Sequence, residues 1–159
     1  MLQTIRQLFL RRVAPAPPPR SADELEHALH LAAAVLLFEV VRADADVTDE
    51  ERTVMRAGIQ STFDISGPEA EELMQLGERE SRSATSIFPF TSLIDRAFSP
   101  AQKKRIVELL WLVSFADAGR HSEEEYVIRK IAGLLHVPHP EFIDAKIRAR
   151  AAASLPRQA

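Results

Sequence analysis

Acidic side chains recur twice in this sequence with the same spacing, and their oxygens are the groups best suited to chemistry. The first copy occupies residues 43–56 and the second occupies residues 116–129. With a shift of 73 positions, seven of these fourteen positions are identical. The shared pattern is an Ala-Asp pair followed, after five further residues, by Glu-Glu. It predicts an internal duplication whose two halves are related by a two-fold rotation within one domain.

The repeated carboxylates form two candidate metal sites. Their hard oxygen atoms favour Ca²⁺ (calcium), Mg²⁺ (magnesium) or Mn²⁺ (manganese). The second copy lacks an equivalent of Asp46 but gains His121, so zinc is a less favoured ligand there. The spacing is not that of an EF-hand, since Asp49 and Met55 stand where that loop needs glycine and glutamate. The candidate ligands are Asp44, Asp46, Glu50 and Glu51 in the first copy and Asp117, His121, Glu123 and Glu124 in the second.

Helix capping is the alternative explanation for these acids. Thr48 and Glu51 fit a capping box, and the helix dipole stabilises acids in the first turn of a helix. Asp44 and Asp117 fit this explanation less well, because each is predicted at the C-terminal end of a helix, where the dipole is negative. Either an Asx-type turn or a bound cation would stabilise them there. The residues alone leave both explanations open.

The elements that must position these residues are predicted to be helices alone, since no segment alternates apolar and polar residues. A long and nearly all-apolar helix precedes each acidic turn, at residues 22–42 and 100–118, and an amphipathic helix follows it. We therefore expect an all-α, compact bundle of about six to seven helices with the two apolar helices at its centre. The other expected helices are 49–62, 66–83, a short one ending at Phe98, 122–136 and 140–152, with residues 87–90 as an apolar loop. Side chains expected in the core are Leu36, Leu37, Leu109, Trp111 and Val113.

The chain is expected to divide into four parts. An N-terminal segment (residues 1–13) precedes a proline-rich linker (14–20), the helical domain (21–152) and a tail (153–159). The prolines favour an extended, semi-rigid linker. The N-terminal segment places Leu2, Ile5, Leu8 and Phe9 at helical spacing beside three arginines. This segment has two alternative roles: docking on its own domain or on a second copy, or peripheral membrane contact through residues 1–12.

The composition excludes several classes of function. The absence of cysteine removes disulfides, thiolate metal sites and cysteine nucleophiles, and it fits a reducing cytoplasm. A formal net charge of −3 gives no reason to expect a nucleic acid as partner. No catalytic triad order, glycine-rich phosphate loop or His-Glu-x-x-His motif occurs, so we expect no enzyme. The longest apolar run, residues 31–38, is far shorter than the roughly 20 residues that span a bilayer. The expected localisation is therefore cytoplasmic, with the inner face of the membrane as an alternative position.

Several stretches of the sequence resemble the TerB-like family, which is named from tellurite-resistance operons. That family is similar in fold to the N-terminal domain of a membrane-anchored DnaJ-type co-chaperone. The resemblance covers about residues 21–150. The stretches that carry it are 43–51, 99–102, 108–113, 116–124 and 142–148.

The resemblance implies an all-helical bundle, a divalent-metal site at the acidic turns, and protein partners in a stress-response system near the bacterial inner membrane. It does not define an oligomeric state. Ala45 and Ala118 depart from the family pattern, which has glycine at both positions. Tellurite itself is not an expected ligand, because carboxylates repel an oxyanion. The positions that match the family motif are Asp44, Glu51, Asp117 and Glu124.

Overall fold

The computed structural model describes residues 21–43, 46–116 and 122–154. All regular structure in these residues is helical, which confirms the predicted all-α class. The N-terminal segment, the linker and the last five residues lie outside the described part of the chain. The helices of the described part are α1 (Ala22–Val41), α2 (Asp49–Phe63), α3 (Gly67–Ser83), α4 (Phe88–Ala97), α5 (Pro100–Ser114), α6 (Ser122–Leu134) and α7 (His139–Ala153).

Four of the helices begin at side-chain caps that are visible in the sequence. In each case a hydroxyl oxygen accepts a hydrogen bond from the backbone N–H three residues later, at 3.1 to 3.2 Å. Two of these starts are complete capping boxes, in which Glu51 or Gln102 accepts the N–H of the cap residue in return. The four cap residues are Ser21, Thr48, Ser66 and Ser99.

The core is built around the C-terminal half of α1. Residues 32–38 of this helix are each at most 1% exposed, and α1 contacts α2, α3, α4, α5 and α6. The second apolar helix, α5, packs against α1 and against α7. Each predicted core side chain is at most 1% exposed: Leu36, Leu37, Leu109, Trp111 and Val113. The prediction of two central apolar helices is therefore confirmed.

A glycine brings α3 unusually close to α1. A Cβ atom at Gly77 would lie 2.8 Å from the Cβ of Ala34 and 3.1 Å from its carbonyl carbon, so a larger residue would force the helices apart. One turn further along both helices, Ser81 of α3 contacts Glu39 of α1. The two helices consequently run in the same direction, and their C-terminal ends lie side by side at the first acidic turn.

The predicted apolar loop at residues 87–90 is wrong, since α4 begins at Phe88. The Phe88 N–H donates to the Ser86 hydroxyl at 3.1 Å, and Pro89 occupies the first turn, where proline costs no hydrogen bond. Phe88 is 62% exposed and so is not held in the core, while Ile87 and Phe90 are half-buried.

Two predicted helices end earlier than expected. Helix α5 ends at Ser114, because the N–H of Ala116 bonds to the carbonyl of Val113 and tightens the chain into a turn. Helix α6 ends at Leu134, because His136 adopts a left-handed conformation with φ of 58°. The Val137 N–H then closes the helix end on a carbonyl five residues back, at 3.0 Å.

Within the described residues, no helix combines the length and the apolar character needed to cross a membrane.

Replacing Leu109 with alanine should lower the free energy of unfolding by roughly 2–5 kcal/mol, since a buried leucine leaves a cavity. Urea unfolding measures this loss. The control is Leu112→Ala on the half-buried side of the same helix, which should cost clearly less. A cost under about 0.5 kcal/mol for Leu109→Ala would contradict the central position of α5.

The stability of the protein should fall as the pH drops below neutrality, partly because of His30. Its ring stacks on Phe63 with the centroids 4.2 Å apart, and burial lowers the pKa of His30 although Glu26 opposes this shift. The unfolded histidine, with a pKa of about 6.5, therefore binds protons more readily, and stability is lost as the pH falls from that value through the folded pKa. Urea unfolding at a series of pH values should show a shallower slope for His30→Gln. Equal slopes for the wild type and His30→Gln would refute this role.

Candidate functional site

The structure separates the predicted metal ligands into buried and exposed groups. Asp46, Glu50 and Glu123 are exposed, whereas the last glutamate of each repeat is buried. Glu51 is 2% exposed and Glu124 is 1% exposed. Asp44, Asp117 and His121 lie outside the described residues.

Glu51 closes the first turn of α2. Its Oε1 atom accepts the backbone N–H of Thr48 at 3.0 Å, and its own N–H donates to the Thr48 hydroxyl at 3.1 Å. The predicted capping box is therefore confirmed. This box engages one of the two carboxylate oxygens, and no hydrogen bond between the other oxygen and a described residue is present. A carboxylate buried to this degree needs more than one favourable contact to offset its lost hydration.

Glu124 occupies the equivalent position in the second repeat, with a different hydrogen-bond donor. The Ser114 hydroxyl at the end of α5 donates to Glu124 Oε2 at 3.0 Å, and Ser114 itself is fully buried. Serine here replaces Val41 of the first repeat, whereas His121 replaces the cap residue Thr48. The two repeats thus hold an equivalent buried carboxylate through different donors. In the first repeat the donor is the cap residue of the glutamate's own helix, and in the second it lies at the end of the preceding helix.

The sequence contains a signal for this burial that the repeat pattern alone did not reveal. Glu51 is four residues before Met55 and eight before Ile59, so all three lie on one face of α2. Glu124 has the same relation to Ile128 and Ala132 on α6, and these apolar residues are at most 3% exposed. Helical periodicity therefore places each of these glutamates on the core face, and its neighbour one residue earlier on the solvent face.

The described residues by themselves do not complete a metal site. No group of three or more His, Asp or Glu side chains among them is arranged to hold an ion. A site at either turn would thus have to include residues outside the described part: Asp44 in the first repeat, and Asp117 or His121 in the second.

The structure contains a polar network beside the first acidic turn that was not predicted from the sequence. Ser81 is 3% exposed, and its hydroxyl donates to Glu39 Oε1 at 2.7 Å while it accepts from Arg42 Nη1 at 2.8 Å. The serine thereby links an acid of α1 to the arginine that directly follows this helix. The signal for it was Glu39, a charged residue in an otherwise apolar stretch, but its partner lies 42 positions away in the chain.

One family of proteins matches most of this chain. The model of the family described as Tellurite resistance protein TerB matches residues 30–147, which include both acidic turns. Neither a curated protein nor a solved structure shows a match to the chain.

Replacing Ser114 with alanine should lower the free energy of unfolding by about 1–3 kcal/mol, because the buried Glu124 carboxylate loses a hydrogen bond. Thermal or urea unfolding measures the loss. Ser61→Ala, at an exposed position of α2, is the matched control and should stay within about 0.5 kcal/mol of the wild type. Equal effects of the two substitutions would show that Ser114 contributes nothing to holding Glu124.

Proposed function

We propose that this chain, which belongs to the TerB family, is a non-enzymatic stress-response module that binds a divalent cation at its acidic turns. The family in general is a non-enzymatic helical domain. The cation and the role in stress response go beyond that membership.

The observation that carries this proposal is the burial of Glu51 and Glu124 at equivalent positions. Stabilisation by the helix dipole does not require burial, because the exposed first-turn acids Glu50 and Glu123 receive it while they remain in water. Burial of a carboxylate, in contrast, costs free energy unless it is matched by an opposite charge or by several hydrogen bonds. A cation held between the buried glutamate and the acids of the preceding turn would supply that charge in both repeats.

The donor set selects the class of cation. Carboxylate oxygens at the first turn suit Ca²⁺, Mg²⁺ or Mn²⁺, which prefer hard oxygen ligands. In the second repeat His121 adds a nitrogen donor, which makes zinc a secondary candidate there. The ligands we propose are Asp44, Asp46, Glu50 and Glu51 at the first turn and Asp117, His121, Glu123 and Glu124 at the second.

The alternative function is a plain protein-interaction domain whose acidic turns only cap helices. The complete capping box between Thr48 and Glu51 supports this alternative for the first repeat. Both functions include protein partners, which we propose to belong to a cytoplasmic stress-response system near the inner membrane. Cation binding therefore distinguishes the two.

Thermal stability of the 159-residue chain should rise with millimolar Ca²⁺, Mg²⁺, Mn²⁺ or Zn²⁺, since a ligand that binds only the native state stabilises it. Differential scanning calorimetry measures the melting temperature, and isothermal titration gives the stoichiometry. Asp44→Ala should abolish the rise that comes from the first site. Glu51→Gln should do the same while its amide oxygen still accepts the Thr48 N–H.

Glu69→Gln is the matched control, because Glu69 is an exposed first-turn acid of α3 that lies outside both repeats. It should leave the cation-dependent rise unchanged. No shift of the wild-type melting temperature with any of the four cations would leave capping as the whole explanation. If the cation still raises the melting temperature of both Asp44→Ala and Glu51→Gln by the full amount, the ion binds elsewhere than at the first turn.

A further inference from the structure

An open groove runs along α6 on the side that faces the C-terminal end of α3. It consists of two adjoining clefts of about 700 Å³ and about 360 Å³, which share Glu39 and Ala84 in their walls. The three large apolar side chains that are most exposed in the described residues are Phe88, Tyr126 and Ile147, and the first two line this groove. We call it the Tyr126–Phe88 groove. Its apolar walls also contain Ile87, Val127 and Leu134.

Exposed aromatic and aliphatic side chains that border one groove are typical of a docking surface. The chain itself contains a matching occupant. Residues 2, 5, 8 and 9 of the N-terminal segment form an apolar stripe of Leu2, Ile5, Leu8 and Phe9. We propose that this stripe docks in the Tyr126–Phe88 groove of its own domain.

The length of the linker supports this destination. From Ser21 to Glu39, which lies in the wall of the groove, α1 advances by about 27 Å at 1.5 Å per residue. Eight extended residues, 13–20, span about 25 Å at 3.1 Å per residue, and four of them are prolines that favour this extended form. An extended linker is therefore long enough for the stripe to reach the groove, whereas docking near Ser21 would not use this length.

Charge also favours the chain's own domain. Residues 1–20 contain four arginines and no acid, so the remaining residues have 16 basic and 23 acidic side chains, a formal charge of −7. Glu39 and Glu123 lie in the groove walls, and Ala43 at its rim leads into the first acidic turn. Of the basic wall residues, Arg42 shares Ser81 with Glu39, at 2.8 Å and 2.7 Å, and Arg82 pairs with Glu78 at 3.2 Å, so acids of the domain partly balance both charges. Lys130 lies in the second cleft, beside Leu134.

The linkage also raises the local concentration of the segment. A segment joined by a linker whose length matches the distance to its site binds at an effective concentration in the millimolar range. Weak apolar and ionic contacts are then sufficient for docking. The same contacts would not hold a separate peptide of this size.

The experiment uses the full chain, which has no cysteine and so accepts labels at chosen sites. Spin labels are attached to Gln7→Cys, on the polar side of the stripe, and to Thr85→Cys in the groove wall. Their distance distribution is measured by pulsed electron paramagnetic resonance, with excess unlabelled protein present to suppress distances between molecules. The control pair combines Gln7→Cys with Ala57→Cys, an exposed position on α2 outside the groove.

We expect a short and narrow distance distribution for the 7–85 pair. Addition of the double substitution Ile5→Asn and Leu8→Asn should broaden it, while Thr4→Asn should leave it unchanged. A distribution for the 7–85 pair that is broad and unaffected by Ile5→Asn and Leu8→Asn would overturn the proposal. A short distance that disappears when unlabelled protein is added would overturn it in favour of a second copy. The proposal would also be overturned, in favour of a lipid surface, if the 7–85 distribution is broad and the protein sediments with phosphatidylglycerol vesicles in a way that depends on residues 1–12.

Discussion

The structure depends on the burial of one segment of α1 that is apolar around its whole circumference. Residues 32–38 of α1 are all excluded from water, so other helices must cover every side of this segment. At roughly 25 cal/mol per Å² of buried apolar surface, that contact area is a major source of stability. Three consecutive alanines, from Ala32 to Ala34, keep one part of the helix thin, and Gly77 of α3 packs directly against it. The arrangement of α2 to α6 follows from the need to surround α1.

Both acidic turns are consequences of the same constraint. The buried segments of α1 and α5 lie in the C-terminal parts of these helices, and in the sequence each helix is followed by a polar turn and an amphipathic helix. The returning helix packs its apolar face on the core. The first residue on that face is a glutamate in both repeats, and so Glu51 and Glu124 are buried together with Met55 and Ile128. Their carboxylates are held by different donors, the backbone N–H of Thr48 and the hydroxyl of Ser114.

Membership in the TerB family gives this arrangement a functional context, because the matched residues 30–147 contain both turns. The proposed cation would bind where a buried carboxylate meets the polar turn. The proposed docking groove is the open space that the packing leaves between α6 and the residues that connect α3 to α4. The two surfaces adjoin, since Ala43 and Glu123 flank the acidic turns and also line the groove.

The sequence by itself determined the helical class, the two central apolar helices and the starts of four helices. These features are local, because a cap joins residues three positions apart and a core face repeats every three or four residues. The same local rule would have predicted the burial of Glu51 and Glu124. Only the tertiary structure decided what those glutamates contact, since the donor Ser114 belongs to a different helix from Glu124. It alone also joined Ser81 to Glu39 and created the Tyr126–Phe88 groove, because distant parts of the chain meet only when the helices pack around α1.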